Sequence, residues 1–206
     1  MATAIRPWSE PLQASSAMAS PTAAMAGAAD YRQALKPTPA GWPRRDHWCV
    51  WVEPITDLGP TGIWQQRWRE AVLAALISWQ RQLSISLVGD AAQAQVLVQR
   101  RRPPIQNQRA SHGRAQLQLL EVQRGGPWQL EPRVEVLISP GQGPRAMQAT
   151  ALHELGHAFG LWGHSDQAGD VMAPQPGAQP LLQLSGRDRA TLEWLQRQPG
   201  LQGASP

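Results

Sequence analysis

The chain has 206 residues, of which 42% are hydrophobic, and its formal net charge is +4. This length and composition suit one folded domain with a sizeable core. No apolar stretch approaches the ~20 residues that a membrane-spanning helix needs, and a single cysteine, Cys49, excludes an internal disulfide framework. The densest basic cluster, residues 100–102, comes without a recognised nucleic-acid-binding motif, so no specific nucleic-acid partner is expected.

The two ends of the chain lack a regular hydrophobic pattern. Residues 1–41 are rich in Ala, Pro, Ser and Met, and we predict a disordered or processing segment there. Their one weakly apolar run, residues 23–29, is too short for a clear signal peptide. Residues 199–206 are predicted to be a disordered tail.

From residue 42 onward the pattern becomes regular. Residues 48–52 form a continuous apolar run typical of a buried strand, in which Cys49 is interpreted as a small buried hydrophobe. Residues 62–82 and the leucine that follows carry apolar side chains at three- and four-residue steps, which predicts an amphipathic helix. This stripe consists of Trp64, Trp68, Val72, Leu76, Trp79 and Leu83.

Further strands and two helices are predicted downstream. Alternation at 83–87 and the apolar runs at 96–98 and 134–138 indicate three strands. Residues 115–122 alternate as well, but their phase slips between Leu119 and Leu120, which predicts a β-bulge.

The next helix is predicted to begin at Pro144, which suits a first turn, and to end at Gly160. Ser185 and Asp188 resemble a capping pair at the start of a last helix.

The sequence His153-Glu154-Leu155-Gly156-His157 lies on the first of these helices. Positions i and i+4 share one helix face, so the two imidazoles can bind a single zinc ion. Glu154 then lies beside the metal, where it can accept a proton as a general base. Gly160 supplies the residue with positive φ that turns the chain back, which lets a third ligand approach the same ion.

The chain resembles the metzincin zinc peptidases, and among them the matrixins. The family pattern is H-E-x-x-H-x-x-G-x-x-H followed by a methionine turn, and residues 153–160 match its first eight positions. Ser165 follows the third histidine as a serine does in matrixins, and residues 170–174 look like the methionine turn with Met172 beneath the ligands. The likeness extends over residues 42–198, but only residues 153–174 are specific.

The resemblance implies an α+β, zincin-like fold. We expect a mixed twisted sheet with two long helices in an upper subdomain, residues 42–160. A short irregular lower subdomain, residues 161–198, would end in a helix. The expected activity is that of a monomeric zinc endopeptidase with one catalytic Zn²⁺, which hydrolyses protein or peptide substrates by Glu154-assisted attack of a zinc-bound water. The expected substrate site is an exposed edge strand, for which residues 134–138 are the candidate, with sheet core as the equally weighted alternative.

One departure from the family concerns the third ligand. The family spacing falls on Gly163, which has no donor atom, and His164 follows it. We predict that His164 is the ligand and that Gly163 accommodates the extra residue in an unusual backbone conformation. Asp166 and Asp170 remain alternative ligands.

Other features limit the regulatory and functional possibilities. Cys49 lacks the propeptide context of a cysteine switch, and the chain lacks the histidines of the family's additional structural zinc. The family resemblance favours an extracellular or periplasmic location. Two alternatives remain open: a gluzincin-like hydrolase with Glu193 as the third ligand, and a zinc-binding interaction module without catalysis.

Overall fold

The computed structural model describes residues 3–9, 29–57, 59–60, 62–105, 110–175 and 179–202. Within them the chain forms a six-stranded mixed sheet and three α-helices, which confirms the predicted α+β class. No helix in this part of the chain is both long and apolar enough to cross a bilayer. In chain order the elements are β1 (Ala4–Pro7), β2 (His47–Val52), α1 (Gly62–Gln80), β3 (Ser84–Leu87), β4 (Val96–Gln99), β5 (Gly113–Gln123), β6 (Gln129–Ile138), α2 (Pro144–Ala158) and α3 (Gly186–Gln196).

The strand order across the sheet is β1-β5-β6-β4-β2-β3. β2 pairs in parallel with β3 and β4, and β4 pairs in parallel with β6. β5 is antiparallel to both β6 and β1. Of the two equally weighted predictions for residues 134–138, the edge strand is wrong and sheet core is confirmed, because β6 is hydrogen-bonded on both sides.

One face of the sheet packs against α1 and α2. Alternate residues of β2, Trp48 and Val50, are fully buried on this face. The Trp68 and Trp79 indoles donate hydrogen bonds to the Ile138 and Leu152 carbonyls, so the polar edge of each buried ring is satisfied. Trp64 differs from the prediction, since it is 61% exposed and lies under the Arg67 guanidinium.

The β5–β6 pairing runs without interruption from the Gly113–Ile138 pair to the Val122–Gln129 pair. The predicted bulge at residues 119 and 120 is therefore absent. The apolar alternation stops after Leu119 because the next residue on the same face of the strand, Glu121, is acidic. Its buried carboxylate forms an ion pair with Arg6 of β1.

The predicted ends of α2 and the predicted start of α3 agree with the structure. Pro144 occupies the first turn of α2, and the helix ends in a Schellman motif. In that motif the Gly160 amide donates to the His157 carbonyl and the Leu161 amide donates to the Gly156 carbonyl. A reciprocal capping box between Ser185 and Asp188 opens α3.

Both terminal regions contribute more structure than the sequence pattern predicts. Ala4–Pro7 form β1, and Tyr31 and Leu35 are buried in the core cluster, although residues 1–41 were expected to be disordered or processed. The Gln202 amide donates to the Ala40 carbonyl, so part of the expected tail also contacts the domain. Most of the remaining predicted segment, residues 10–28, lies outside the described residues.

Candidate metal site

Three histidines come together at the end of α2. His153 and His157 project from the same face of the helix, and His164 reaches them from the loop that follows. One ring nitrogen from each residue lies within 4.8 Å of the corresponding nitrogens of the other two. Among the described residues this is the one group of His, Cys, Asp and Glu side chains arranged to hold a metal ion.

Backbone carbonyls orient the two helical histidines. The Nδ1 atoms of His153 and His157 lie 2.8 Å from the Val171 and Leu161 carbonyl oxygens, respectively. A carbonyl oxygen only accepts hydrogen bonds, so each Nδ1 carries a proton and each Nε2 keeps its lone pair. These hydrogen bonds therefore select the tautomer that a metal ligand needs.

Burial keeps the cluster neutral. Desolvation lowers the pKa of His153 and of His164, and it lowers the pKa of His157 to about 3, with the neighbouring His153 as a further cause. Neutral imidazoles do not repel one another and need not lose protons before they bind a cation. The site is thus prepared for a metal at neutral pH.

The structure places the third histidine as predicted but gives a different reason for the glycine before it. Gly160 has a φ of 107°, whereas Gly163 does not have a positive φ. A Cβ atom on Gly163 would lie 2.1 Å from the Ala34 carbonyl oxygen. Glycine is therefore needed at 163 because the backbone of residues 34 and 35 passes against it, and the predicted unusual conformation is wrong.

The two alternative aspartates have other partners. The Arg187 guanidinium donates to Asp166 and to Asp170, in both cases at 2.7 Å. Asp170 is buried and also accepts hydrogen bonds from the Ser165 and Ser185 hydroxyls. Neither carboxylate joins the histidine cluster.

Met172 lies under the helix that carries the ligands. It is fully buried, and residues 170–173 form a turn closed by a hydrogen bond from the Ala173 amide to the Asp170 carbonyl. A Cβ atom on Gly156 would lie 2.3 Å from the Met172 sulfur. Gly156, between the two helical histidines, is therefore what allows the methionine to approach so closely.

Asp188 ties this turn to α3 and to the N-terminal segment. Its fully buried carboxylate accepts hydrogen bonds from the Val171 amide at 2.9 Å and from the Tyr31 hydroxyl at 2.8 Å. Burial beside Asp188 raises the pKa of Tyr31, so the hydroxyl stays protonated. Sequence reasoning identified Asp188 only as a capping residue, because the backbone amide and the tyrosine that it binds are distant in the chain.

Glu154 lies at the base of a cleft beside the cluster. Burial raises the pKa of its carboxyl group to about 7, against the opposing effects of the Ala115 amide and the Arg114 charge. A Cβ atom on Gly113 would lie 2.6 Å from the Glu154 carboxylate, so the start of β5 passes directly over this group. The cleft has a volume of about 670 Å³ and is bordered by residues 110–113, by α2 and by the loop after Met172.

The other candidate residues lie outside the cluster. Glu193 is exposed on α3 and forms an ion pair with Arg197. Cys49 alternates with the buried Trp48 and Val50, so it lies on the sheet face opposite α1 and α2. His47 contacts the Ser84 hydroxyl at 2.8 Å, and His112 is exposed at the cleft border.

No family model matches the chain, and no curated protein matches its sequence.

Proposed function

We propose that the chain is a zinc-dependent endopeptidase of the matrixin-like type. One observation carries the proposal. Three neutral imidazoles converge on one point, and a buried carboxyl group, Glu154, lies next to them at the base of an open cleft. A site that only bound metal would not need a carboxyl group held beside the open side of the ion.

The donor set fits zinc. Neutral imidazole nitrogens suit Zn²⁺, and three protein ligands leave one position of a tetrahedral ion for another molecule, as in catalytic zinc sites. His153, His157 and His164 would hold the ion. When bound, zinc supplies a Lewis acid that lowers the pKa of a coordinated water and polarises a carbonyl group.

Glu154 would move the proton in this reaction. Its carboxylate lies beside the histidine cluster, where it can accept a proton from the attacking water and then donate it to the leaving amine. The carboxylate lies directly below Gly113, at the start of β5. The proton transfer would thus take place at the Glu154 carboxylate, between α2 and β5.

The substrate would be an extended peptide that pairs with the free edge of β5. Gly113 lies over Glu154, and within the described residues β1 pairs only with the far end of the strand, Leu120–Gln123. A peptide that adds to this edge would present a backbone carbonyl near Glu154. β5 therefore takes the role that the sequence suggested for β6.

A metzincin-like fold is part of the proposal. Its support is the combination of a mixed sheet, two long helices on one face, and the turn of Met172 under the ligand helix. The irregular chain from residue 161 to α3 would correspond to the lower subdomain.

Peptide cleavage before and after zinc removal tests the proposal. The chain should hydrolyse casein or a mixed peptide library, lose this activity in a chelator, and recover it with added zinc. Glu154→Gln should retain stoichiometric zinc and lose activity by about 10²–10⁴-fold, the range for a positioned general base.

His157→Ala is the matched control, because it should lose zinc and activity together. Retained cleavage in Glu154→Gln would contradict the assigned role of the carboxyl group. Zinc binding without cleavage by the parent chain would instead indicate a non-catalytic binding module.

A further inference from the structure

We infer that β1 limits how far a substrate extends along the β5 edge, so that the enzyme recognises only about five residues upstream of the scissile bond. The inference rests on the proposed function. It concerns the N-terminal strand, Ala4–Pro7, which lies on the same edge of the sheet as the proposed substrate path.

The outward-facing backbone groups of β5 belong to its odd-numbered residues. The Trp8 amide donates to the Leu119 carbonyl at 3.0 Å, and in an antiparallel pair the hydrogen-bonded positions alternate. On the other side of the strand, the Ser139 amide donates to the His112 carbonyl, so the even-numbered positions face β6. Gly113, Ala115 and Leu117 therefore present backbone groups along the part of the edge that leads to the cleft.

β1 pairs with the next part of the same β5 edge, residues 120–123. It runs antiparallel to β5, with Ala4 opposite Gln123 and Pro7 opposite Leu120. A substrate that pairs antiparallel with β5 runs in the same direction as β1, so its upstream residues point towards Trp8. β1 and the upstream part of the substrate therefore compete for the same row of backbone groups.

The register sets the available length. A substrate residue near Glu154 lies opposite Gly113, which passes directly over that carboxylate, and Trp8 already occupies the position opposite Leu119. The positions opposite residues 114–118 lie between them. Beyond about five upstream residues a substrate must leave the edge.

Specific side-chain contacts hold β1 in place although all four of its residues are exposed. Arg6 pairs with Glu121, whose side chain is only 6% exposed, and its guanidinium lies 4.3 Å from the centre of the Trp128 ring. An ion pair with a buried acceptor and a cation–π contact anchor the strand better than its four backbone positions alone would. Arg6 is therefore the residue to change.

The test uses the full chain and a series of peptides with identical downstream residues and two to eight upstream residues, extended with alanine. For the parent chain, kcat/KM should rise up to about the fifth upstream residue and then stay constant. The double variant Arg6→Glu/Trp8→Pro puts an acid against Glu121 and removes the amide that binds Leu119. In this variant kcat/KM should continue to rise beyond the fifth upstream residue, by about three- to tenfold for each added hydrogen-bonded pair.

Arg6→Lys/Trp8→Ala is the matched control, because it keeps the charge and the amide, and its profile should match that of the parent. Hydrogen exchange provides a readout without activity. The Glu121 amide should exchange faster in the disruptive variant than in the control, while the amides of α2 stay protected and show that the fold is intact.

Three results would overturn the inference while the proposed function stands. They are an unchanged length profile in the disruptive variant, equal Glu121 exchange in both variants, and a parent profile that keeps rising beyond the fifth upstream residue. If the parent cleaves no peptide of any length, the proposed function is wrong, and the inference is wrong with it.

Discussion

At the residue scale, backbone carbonyl groups orient two of the three histidines in the cluster. The Val171 and Leu161 carbonyls fix the tautomers of His153 and His157, and one of them comes from the turn that contains Met172. The ligand types are readable from the sequence because side-chain identity and helical spacing determine them. The carbonyl partners are not, because any residue type can supply a carbonyl and only the folded path of the chain brings it near.

His164 and Asp166 can be separated by substitution. His164→Ala should weaken zinc binding by more than the ~10–100-fold typical of a residue that only supports a ligand, since its ring nitrogen lies in the cluster. Asp166→Asn should weaken it less, because Asp166 binds Arg187 and not the cluster. Competition with a fluorescent zinc chelator measures both affinities. A larger loss in Asp166→Asn would assign the third ligand to the aspartate.

Two glycines show a different limit of sequence reasoning. Gly156 and Gly163 are required because a sulfur atom and a carbonyl oxygen, respectively, approach them closely. Gly160 could be interpreted from the sequence because its requirement is local: a helix that ends in a turn favours positive φ. Close approach by a distant segment leaves no local pattern, and the explanation predicted for Gly163 was wrong for that reason.

At the scale of elements, the strands and helices were predictable and the strand order was not. Periodicity reports whether a segment has one buried face, and it located β2, α1, β4 and α2 near their observed bounds. It does not report which strand lies beside which. Residues 134–138 were equally consistent with an edge strand and with sheet core. The parallel pairing of β6 with β4 places them in the interior, and β5 is the strand that passes over Glu154.

The Glu131 carboxylate of β6 gives an element-scale prediction about pH. It is buried, and although burial alone raises its pKa, the hydrogen bond from Arg124 and the charges of Arg45 and Arg124 outweigh that effect, so the pKa of Glu131 lies below the ordinary 4.5. As the pH falls, the unfolded chain therefore takes up this proton before the folded one. The ion pairs stabilise the fold above about pH 4.5, and the stabilisation is lost as the pH falls through the folded-state pKa.

Glu131→Gln should accordingly lower the free energy of unfolding at pH 7 by about 1–3 kcal/mol, and the difference from the parent should narrow below pH 4.5. Urea unfolding at a series of pH values measures both curves. Glu135→Gln, at an exposed position of the same strand, should change the free energy of unfolding little. If the difference in free energy of unfolding between the parent and Glu131→Gln becomes larger in acid, the assigned direction of the pKa shift is wrong.

At the scale of the whole molecule, the metal site lies directly above the hydrophobic core. Phe159, one residue after α2, packs edge-on against Trp48 and Trp79, with ring centres 5.6 and 5.7 Å apart. These large buried rings connect the sheet, α1 and the ligand helix without any contribution from the histidines. The core therefore holds the site in shape, and we expect the fold to persist without metal.

Zinc removal tests this relation between core and site. A ligand that binds only the folded state stabilises it by about 2.7 kcal/mol at a free concentration of 100 times its Kd. For a chain of this size that stabilisation corresponds to a rise of about 5–10 °C in Tm. Thermal unfolding followed by circular dichroism should show a cooperative transition in chelator, and the Tm should rise with free zinc. His157→Ala should unfold cooperatively too, with a Tm that no longer depends on zinc. A chain that loses its helical signal as soon as the chelator is added would mean that zinc builds the fold instead of binding a site that the core has already formed.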